Sequence, residues 1–483
     1  MIGKGKRIIS VLCGAIMTFG AIGFASCNKA ITAYEIAVKN GFQGTEEQWL
    51  ESLHGDNGND GADFDIYDAY ENAKAKDGFE GSFEEFLKQY LSVTISEDND
   101  TKAIANATSS IVSICAGFTK TEIGNSALDK KLVPSASAGS GVIYKINENA
   151  KNAYIITNYH VLYNKDADEK ISDCVYVYPY GALNGFTTEY RTDKNTNGVG
   201  NGVLDSGEQM GDMYGGGIKA RFIGGAMEYD IAVLETYSND YFGANTTANE
   251  ADILSSELVT VGEKTFAIGN ANGEGISATS GILSVESEYI TMTSPDTTRA
   301  IRYRVMRTDA AINHGNSGGG LFNANGKLIG ITNAKNVEDE TDNMGYALPS
   351  TQVKYVVDNI LDNKADKCVW RATLGIQTQI KSSSGKIVKG KYVIEEEFQI
   401  TDYAIPNTAA AYGKLFAGDV IQTIKIVDKD GNVKTDTTTL TRSYQLVDLC
   451  LTVRKDYKMI LGIKGKNDVV IEFNKDEYFV KYA

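Results

Sequence analysis

Short apolar runs rich in β-branched residues, separated by turn-forming residues, recur from about residue 103 to residue 362. Strands at such short intervals are typical of a β-sandwich or a β-barrel. No regular strand–helix alternation appears before Ser350, and a helical pattern covers Thr351–Leu361. We therefore predict a mainly β fold. The clearest runs are Ile111-Val-Ser-Ile114, Gly141-Val-Ile-Tyr144, Ala153-Tyr-Ile-Ile156, Ile231-Ala-Val-Leu234 and Thr265-Phe-Ala-Ile268.

The pattern divides the rest of the chain into further segments. A break near residues 362–367 precedes a smaller β-rich unit over residues 370–483. Residues 27–95 contain a repeat, in which Ala33-Tyr-Glu-Ile-Ala37 returns as Ala69-Tyr-Glu-Asn-Ala73. Each copy continues into a glycine turn and a capping box, whose side chains satisfy the free amides at a helix start. We predict two helical-hairpin repeats joined by a glycine-rich linker.

The N-terminus has the pattern of a secretory signal. Basic residues up to Arg7 precede an apolar stretch, Ile8–Phe24, and small residues then precede Cys27. This order resembles a bacterial lipobox. We predict a lipoprotein signal over residues 1–26, lipidation of Cys27, and a lipid-anchored protein outside the cytoplasm. An ordinary cleaved signal and a short membrane anchor are the alternatives.

Charge and cysteine content exclude several classes of function. The formal net charge is −16, and the basic residues are scattered, so we expect no nucleic-acid partner. Apart from Cys13 and Cys27, four cysteines remain, without a CxxC motif or a Cys/His cluster for zinc. We expect buried, unreactive thiols, and leave a Cys368–Cys450 disulfide open. We expect no cofactor. The four cysteines are Cys115, Cys174, Cys368 and Cys450.

Three residues have local contexts that suit a serine-hydrolase triad. Ser317 lies in a Gly-x-Ser-x-Gly motif, His160 closes a predicted strand, and Asp230 precedes an apolar run. A serine hydroxyl is a poor nucleophile unless a histidine takes its proton and an acid holds that histidine. No histidine follows Ser317, which excludes the chain order of α/β-hydrolases. The order His, Asp, Ser on a β scaffold is what remains.

Few residues can serve as the base, because the chain has only three histidines. His54 lies in the repeat region, and His314 is too close to Ser317 to act as its base. We expect His314 to line the pocket. Asp309 is the main competitor of Asp230, and we expect it to have a structural role instead.

The glycines around Ser317 predict an oxyanion hole. The amides of Gly315 and Ser317 must point at one position to stabilise a developing oxyanion, and a side chain at Gly315 would restrict that turn. If the fold is trypsin-like, Ala311 floors the S1 pocket. Small or medium apolar P1 residues are then expected, because no buried carboxylate is present to select Lys or Arg.

Residues 103–362 resemble the HtrA (DegP/DegQ) family of trypsin-like serine proteases. This resemblance implies a double β-barrel with His160 as general base, Asp230 as its orienting acid, Ser317 as nucleophile and Gly315 as an oxyanion donor. The chain departs from the family pattern at His314 and Gly320, where relatives usually have proline. Among the matching segments are Thr157-Asn-Tyr-His-Val161, Asp230-Ile-Ala-Val-Leu234, Thr279-Ser-Gly-Ile282, Thr308-Asp-Ala-Ala-Ile-Asn313, Gly315-Asn-Ser-Gly-Gly319 and Gly345-Tyr-Ala-Leu-Pro-Ser350.

Residues 370–483 resemble a PDZ domain, the usual companion of this protease domain. The run Leu374, Gly375, Ile376 resembles the loop that binds a terminal carboxylate, and Tyr444–Val453 resembles the groove helix. The resemblance implies that C-terminal peptides add as a strand in this groove, and it suggests a homotrimer. An unrelated small β domain is the alternative.

An insertion at residues 193–217 partly matches a calcium loop. Asn201, Asp205 and Glu208 stand at ligand positions, but Val199 stands where an oxygen ligand belongs. We favour a flexible glycine-rich loop over a metal site.

The sequence as a whole predicts a serine endopeptidase that cleaves misfolded or signalling proteins outside the cytoplasm through an acyl-enzyme. The alternative is a catalytically silent protein on the same fold, which senses or holds peptides. An esterase is disfavoured by the order of the triad.

Overall fold

A computed structural model describes residues 99–123, 130–180, 217–244, 246–333, 344–388, 391–402 and 409–483, with isolated residues 38, 45, 70, 74 and 406, and only the backbone of 99 and 130–132. It divides the chain into two units, Met1–Asp98 and Asn99–Ala483. Nearly all of the first unit lies outside the described residues. So do Cys27, most of the repeats predicted over 27–95, and the calcium candidates Asn201, Asp205 and Glu208. These stay predictions.

The second unit begins with helix α1, Asn99–Thr108, and a closed six-stranded antiparallel barrel in the order β1-β2-β3-β6-β5-β4. The first eight residues of β1 are all buried, because this strand is covered on both faces. Four of the five apolar runs of the sequence lie in β1, β2, β3 and β6. The strands are β1 Ile111–Ile123, β2 Lys130–Asn147, β3 Asn152–Thr157, β4 Cys174–Pro179, β5 Ile218–Ala226 and β6 Ile231–Thr236.

A second closed antiparallel barrel follows, in the order β10-β11-β12-β9-β8-β7. Two six-stranded barrels in succession confirm the predicted mainly β, trypsin-like architecture. Helix α2, Ser350–Asp362, then packs its apolar face on the barrels. The strands are β7 Lys264–Gly269, β8 Ser277–Thr293, β9 Ala300–Thr308, β10 Gly320–Asn323, β11 Leu328–Thr332 and β12 Gly345–Pro349.

The two barrels share one apolar core. A single cluster of buried side chains includes Ile111 and Ile155 from the first barrel and Phe266 and Phe322 from the second. Burial of such apolar surface is the main favourable contribution to folding. The two barrels therefore pack directly against each other, which suits a site built from both.

The remaining residues form three small sheets and helix α3, Ser443–Leu449. Strand β13 pairs with β20, β14 pairs with β15, and four strands pair in the order β17-β16-β18-β19. The groove helix expected over Tyr444–Val453 is shorter, since its end is the 3₁₀ turn Cys450–Thr452. The strands are β13 Val369–Ala372, β14 Gln377–Val388, β15 Lys391–Asp402, β16 Ile421–Val427, β17 Val433–Thr439, β18 Lys458–Ile463, β19 Val469–Glu472 and β20 Phe479–Tyr482.

Helix α3 is joined to the second barrel by buried charge. Arg304 on β9 donates to the Asp448 carboxylate at 2.5 Å, and Gln352 donates to the same carboxylate at 2.9 Å. The Arg304 guanidinium also stacks 4.0 Å from the Tyr444 ring centre. Both charged side chains are almost fully buried, so removing either one would leave its partner uncompensated.

The four cysteines of the described residues are free thiols, so Cys368 and Cys450 form no disulfide. Burial raises the pKa of Cys174 to about 11 and that of Cys450 to about 12. Thiols with such pKa values are weak nucleophiles at neutral pH. In the part of the chain that the structure describes, no helix is long and apolar enough to span a membrane.

Candidate active site

Asp230 lies where a 3₁₀ turn, Met227–Tyr229, passes into β6, and its backbone is left-handed with φ of 50°. The backbone amide of Tyr159 and the side-chain amide of Asn158 donate to its carbonyl oxygen at 3.1 and 2.9 Å. The residue is fully buried. The left-handed conformation is one that Asp tolerates better than most residues, and it turns the carboxylate away from the strand.

His160 follows β3 in the 3₁₀ turn Tyr159–Val161. Its ring Nδ1 lies 2.7 Å from Asp230 Oδ2, and its backbone amide donates to Asp230 Oδ1 at 3.0 Å. A carboxylate at Nδ1 favours a proton on that nitrogen and leaves Nε2 as the acceptor. The His160 side chain is about one-fifth exposed, whereas the carboxylate is not exposed at all. The pair has the geometry of a general base and its orienting acid.

Ser317 lies in the turn before β10 and is 5% exposed. Its carbonyl oxygen accepts from the backbone amide of Ser140 on β2 at 2.8 Å. A Cβ added at the next residue, Gly318, would lie 2.3 Å from Thr157 Oγ1 and 3.1 Å from the Asn158 amide. The turn that carries Ser317 therefore lies directly against the chain segment that leads to His160.

Gly315, the predicted oxyanion glycine, has a left-handed backbone in close contact with its surroundings. Gly315 has φ of 90°, and a Cβ there would lie 2.2 Å from the Asn270 carbonyl oxygen. The carbonyl of Gly315 accepts from Ser140 Oγ at 2.7 Å, and that of His314 accepts from the Asn272 amide at 2.6 Å. These bonds hold the two peptide units that flank the Gly315 Cα, the first of which contains the Gly315 amide. The His314 side chain is exposed.

Two other residues singled out in the sequence, Asp309 and Ala311, lie between the end of β9 and the turn that carries Ser317. The Ala311 carbonyl accepts from Thr279 Oγ1 at 2.8 Å, and the residue is exposed, as the wall of an open pocket is. The competitor Asp309 accepts from the Ile282 amide at 2.6 Å. The Asp309 carboxylate therefore pairs with a backbone amide of β8, whereas the Asp230 carboxylate contacts His160.

Sequence reasoning missed three polar residues of this site. Asn158 lies within the motif Thr157–Val161, and Ser140 directly precedes the apolar run Gly141–Tyr144, but no role was predicted for either. Asn333 immediately follows β11, and its side-chain amide donates to Asp230 Oδ2 at 3.0 Å. A contact between residues 103 positions apart leaves no local sequence signal. The nearest sequence signal is that Asn333 directly follows the apolar run of a buried strand.

Other predicted sites are less developed. No cluster of His, Cys, Asp or Glu suited to a metal ion occurs among the described residues. In the C-terminal sheets, Leu374 is buried and Gly375 is left-handed with φ of 67°. The adjoining strand β14 is exposed along its whole length. An exposed strand next to a helix is a surface on which a peptide can add as a further strand.

Comparison with known proteins places these observations among relatives. The model of the trypsin-like peptidase domain matches residues 139–331. The serine protease Do-like HtrA of Lactococcus lactis is 30% identical over 336 residues, which are 67% of each chain. The periplasmic serine endoprotease DegP of Escherichia coli is 34% identical over 208 residues, 42% of this chain and 40% of that relative. The solved structure of the HtrA-type protease AlgW with tripeptide matches 79% of this chain and 97% of that one, with 22% identity and a TM-score of 0.44.

Proposed function

Because this chain belongs to the HtrA family of trypsin-like serine proteases and is a serine-type endopeptidase, we propose that Ser317, His160 and Asp230 are its catalytic triad. The observation that carries this proposal is the two-point contact between His160 and the buried Asp230 carboxylate, at 2.7 and 3.0 Å. One bond holds the imidazole through Nδ1, and the other, from the backbone amide of His160, fixes the carboxylate relative to the same residue. A histidine that served only to fill space would not need both.

The proposed reaction follows from these positions. The Ser317 hydroxyl oxygen attacks the peptide carbonyl carbon, and His160 Nε2 takes the hydroxyl proton as it does so. The resulting imidazolium is stabilised by Asp230 and returns the proton to the leaving amine, which departs and leaves an acyl-enzyme. Water, activated by the same histidine, then attacks the ester, and the carboxylic acid product is released as Ser317 regains its proton.

The amides of Gly315 and Ser317 are the proposed donors to the oxyanion of each tetrahedral intermediate. Loss of one such donor typically reduces kcat by about 10²- to 10³-fold. The bonds that hold the His314 and Gly315 carbonyls support this assignment, because the peptide unit that contains the Gly315 amide and the next one are each held by a hydrogen bond before charge develops. Ala311 is the proposed wall of the S1 pocket, and small or medium apolar P1 residues are the proposed preference.

We further propose that the unit at residues 370–483 binds C-terminal peptides through Leu374, Gly375 and Ile376, with β14 receiving the peptide as a strand. The proposed substrates are misfolded or signalling proteins outside the cytoplasm. The proposed lipid anchor is Cys27, and the proposed assembly is a homotrimer. The relatives support the location, since DegP is described as periplasmic.

The triad is tested by labelling the full chain with a fluorophosphonate, which reacts with activated serines. We expect labelling of the wild type, and no labelling of Ser317→Ala, because the attacking oxygen is then absent. Ser294→Ala is the matched control, since Ser294 is also buried but bonds only within its own turn to Asp296 and Arg299. Labelling of this control should equal that of the wild type.

Two results would contradict the proposal. Undiminished labelling of Ser317→Ala would assign the nucleophile to another residue. Absence of labelling in folded wild type, with and without an added C-terminal peptide, would favour the catalytically silent peptide-binding alternative.

A further inference from the structure

Strands β14 and β15 form a long hairpin with one free edge. Each strand has 12 residues, so β14 spans about 37 Å at the usual rise of an antiparallel strand. The outer edge of β15 is occupied, because a bridge joins Gln399 to Val420 and the Ile400 amide donates to the Asp419 carbonyl at 2.8 Å. Among the described residues, β14 pairs only with β15. Its other edge can therefore receive a further strand along its whole length.

The two faces of this hairpin differ in chemistry. Residues that lie opposite each other in an antiparallel pair share a face, and so do alternate residues along one strand. Charge pairs occupy one face: Lys386 Nζ lies 2.7 Å from Glu395 Oε1, and Lys381 Nζ lies 3.3 Å from Glu397 Oε1. This face is suited to water.

The opposite face is apolar at the far end of the hairpin. Ile387 pairs with Tyr392 there, and the two residues are 75% and 57% exposed. The Tyr392 hydroxyl lies over Gly385, where any side chain would collide with it. We call Gly385, Ile387 and Tyr392 the distal patch. It presents apolar surface next to a free strand edge.

The distal patch lies on the face of the hairpin that contacts helix α3. Alternate residues of β15 lead from Tyr392 to Glu396 and then to the buried Phe398. The Glu396 carboxylate accepts from the backbone amide and the hydroxyl of Ser443, the first residue of α3, both at 2.8 Å. A strand added to β14 would therefore place one row of its side chains on the α3 face, from the groove to the distal patch.

The far end of the hairpin is in contact with the second barrel. Lys391 Nζ donates to Glu263 Oε1 at 2.9 Å, in the loop before β7. An exposed ion pair contributes little energy, but it restricts the range of positions that the hairpin end can adopt. A receiving strand with restricted motion loses less conformational entropy when a partner adds to it.

We propose that the free edge of β14 binds about ten residues of an extended chain, whose C-terminal residues occupy the groove and whose apolar residue about ten positions upstream contacts the distal patch. This inference rests on the proposed binding of C-terminal peptides by residues 370–483, and it adds a second point of recognition. With the terminal carboxylate at Leu374–Ile376, the bound chain runs antiparallel to β14. Antiparallel strands pair residue by residue, and Ile387 lies ten positions after Gln377.

The composition of the edge favours a partner strand over a bare surface. Proteins protect free edges with charges, prolines or short strands. Strand β14 has no proline and is about twice the usual strand length. The residues that it places on the α3 face carry no charge, and small residues separate the two isoleucines. An unfolded C-terminal segment fits this surface, because its backbone and apolar side chains are both available. These residues are Thr378, Ile380, Ser383, Gly385 and Ile387.

The experiment measures the binding of fluorescent peptides to the full chain with Ser317→Ala, which prevents cleavage. Peptides of five residues end in Val, Leu or Phe. Each is also extended to thirteen residues, with either Ile or Ser at the tenth to twelfth positions from the C-terminus. We expect the Ile peptides to bind about tenfold more tightly than their Ser counterparts, because an apolar side chain leaves water against the distal patch.

Ile387→Ser is the test variant, and Val388→Ser is its matched control. The two residues are neighbours at the end of β14 and both are exposed, but Val388 lies on the charged face. Ile387→Ser should remove most of the preference for Ile peptides and leave the affinity for five-residue peptides unchanged. Val388→Ser should keep the full preference. Since both side chains are exposed, we expect both variants to fold, and thermal unfolding checks this.

The outcomes separate this inference from the groove itself. If no five-residue peptide binds, the proposed groove is contradicted, and the distal patch with it. If these peptides bind but the Ile and Ser extensions have equal affinity, or the two variants behave alike, the role of the distal patch is wrong and the groove stands. Self-association of the wild type that Ile387→Ser abolishes, without a change in peptide affinity, would make a second copy the occupant and overturn the proposal; sedimentation velocity measures it.

Discussion

The two barrels hold their parts of the site by different means. In the first barrel, the site depends on side chains: the His160 ring and the Asp230 carboxylate meet at 2.7 Å in a buried setting. In the second, it depends on backbone, because Gly315 and Ser317 are placed by carbonyl and amide contacts and by the left-handed conformation of Gly315. The first part is thus sensitive to chemical identity, and the second to backbone shape. Three substitutions separate these sensitivities.

The largest effect is expected in the first barrel. Asp230→Asn keeps the shape of the side chain but replaces the carboxylate, so the imidazole takes the wrong tautomer. We expect kcat to fall by about 10⁴-fold, as in trypsin-like enzymes with this change. The measurement is kcat with a fluorogenic peptide, together with thermal unfolding. Asp309→Asn is the control, since the Asp309 carboxylate accepts from the Ile282 amide and has no contact with His160 among the described residues, and it should retain kcat. Equal losses in the two variants would contradict the assignment of the acid.

The second substitution tests backbone shape without changing any polar side chain. Gly315→Ala places a methyl group 2.2 Å from the Asn270 carbonyl and disfavours φ of 90°. The amide should leave its position, and kcat should fall by about 10²- to 10³-fold, the effect of losing one oxyanion donor.

Gly262→Ala is a close control for this change. Gly262 has the same φ of 90°, but nothing lies within 4 Å of an added Cβ. This variant should lose about 1–2 kcal/mol of stability and keep its kcat. Similar kcat values for the two glycine variants would show that the conformation of Gly315 does not matter for the reaction.

The smallest effect is expected where the two barrels exchange hydrogen bonds. Ser140 Oγ donates to the Gly315 carbonyl at 2.7 Å and accepts from the Asn270 amide at 2.8 Å. Ser140→Ala leaves both buried groups unpaired, at about 1–3 kcal/mol of stability. We expect kcat to fall by about tenfold, because the peptide at Gly315 is then held from one side. Loss of stability without loss of kcat would limit Ser140 to a structural role.

Features that depend on neighbouring residues could be predicted from the sequence, whereas features that depend on long-range contacts could not. The barrels were predictable because their apolar runs are local: Ile231–Leu234 reads as a strand without knowledge of its neighbours. The proposed roles of His160, Asp230 and Gly315 come from motifs within a few residues of each. Asn333 was not predictable, because its place in the site depends on a contact with Asp230 that only the closed fold creates. The end of the groove helix was also missed, since Leu449 passes into a 3₁₀ turn within a continuous apolar run.

The pair of Arg304 and Asp448 has a consequence for how the chain can be divided. Residues 362–367 separate two segments of sequence, but the guanidinium of one segment is neutralised by the carboxylate of the other, out of contact with water. A protease fragment that stops at this boundary would lose the Asp448 carboxylate, and Arg304 would keep only Glu257, whose carboxylate lies 4.0 Å away. We therefore expect such a fragment to be less stable than the full chain, because Leu451 and Val369 of the C-terminal segment belong to the same apolar core as the barrels.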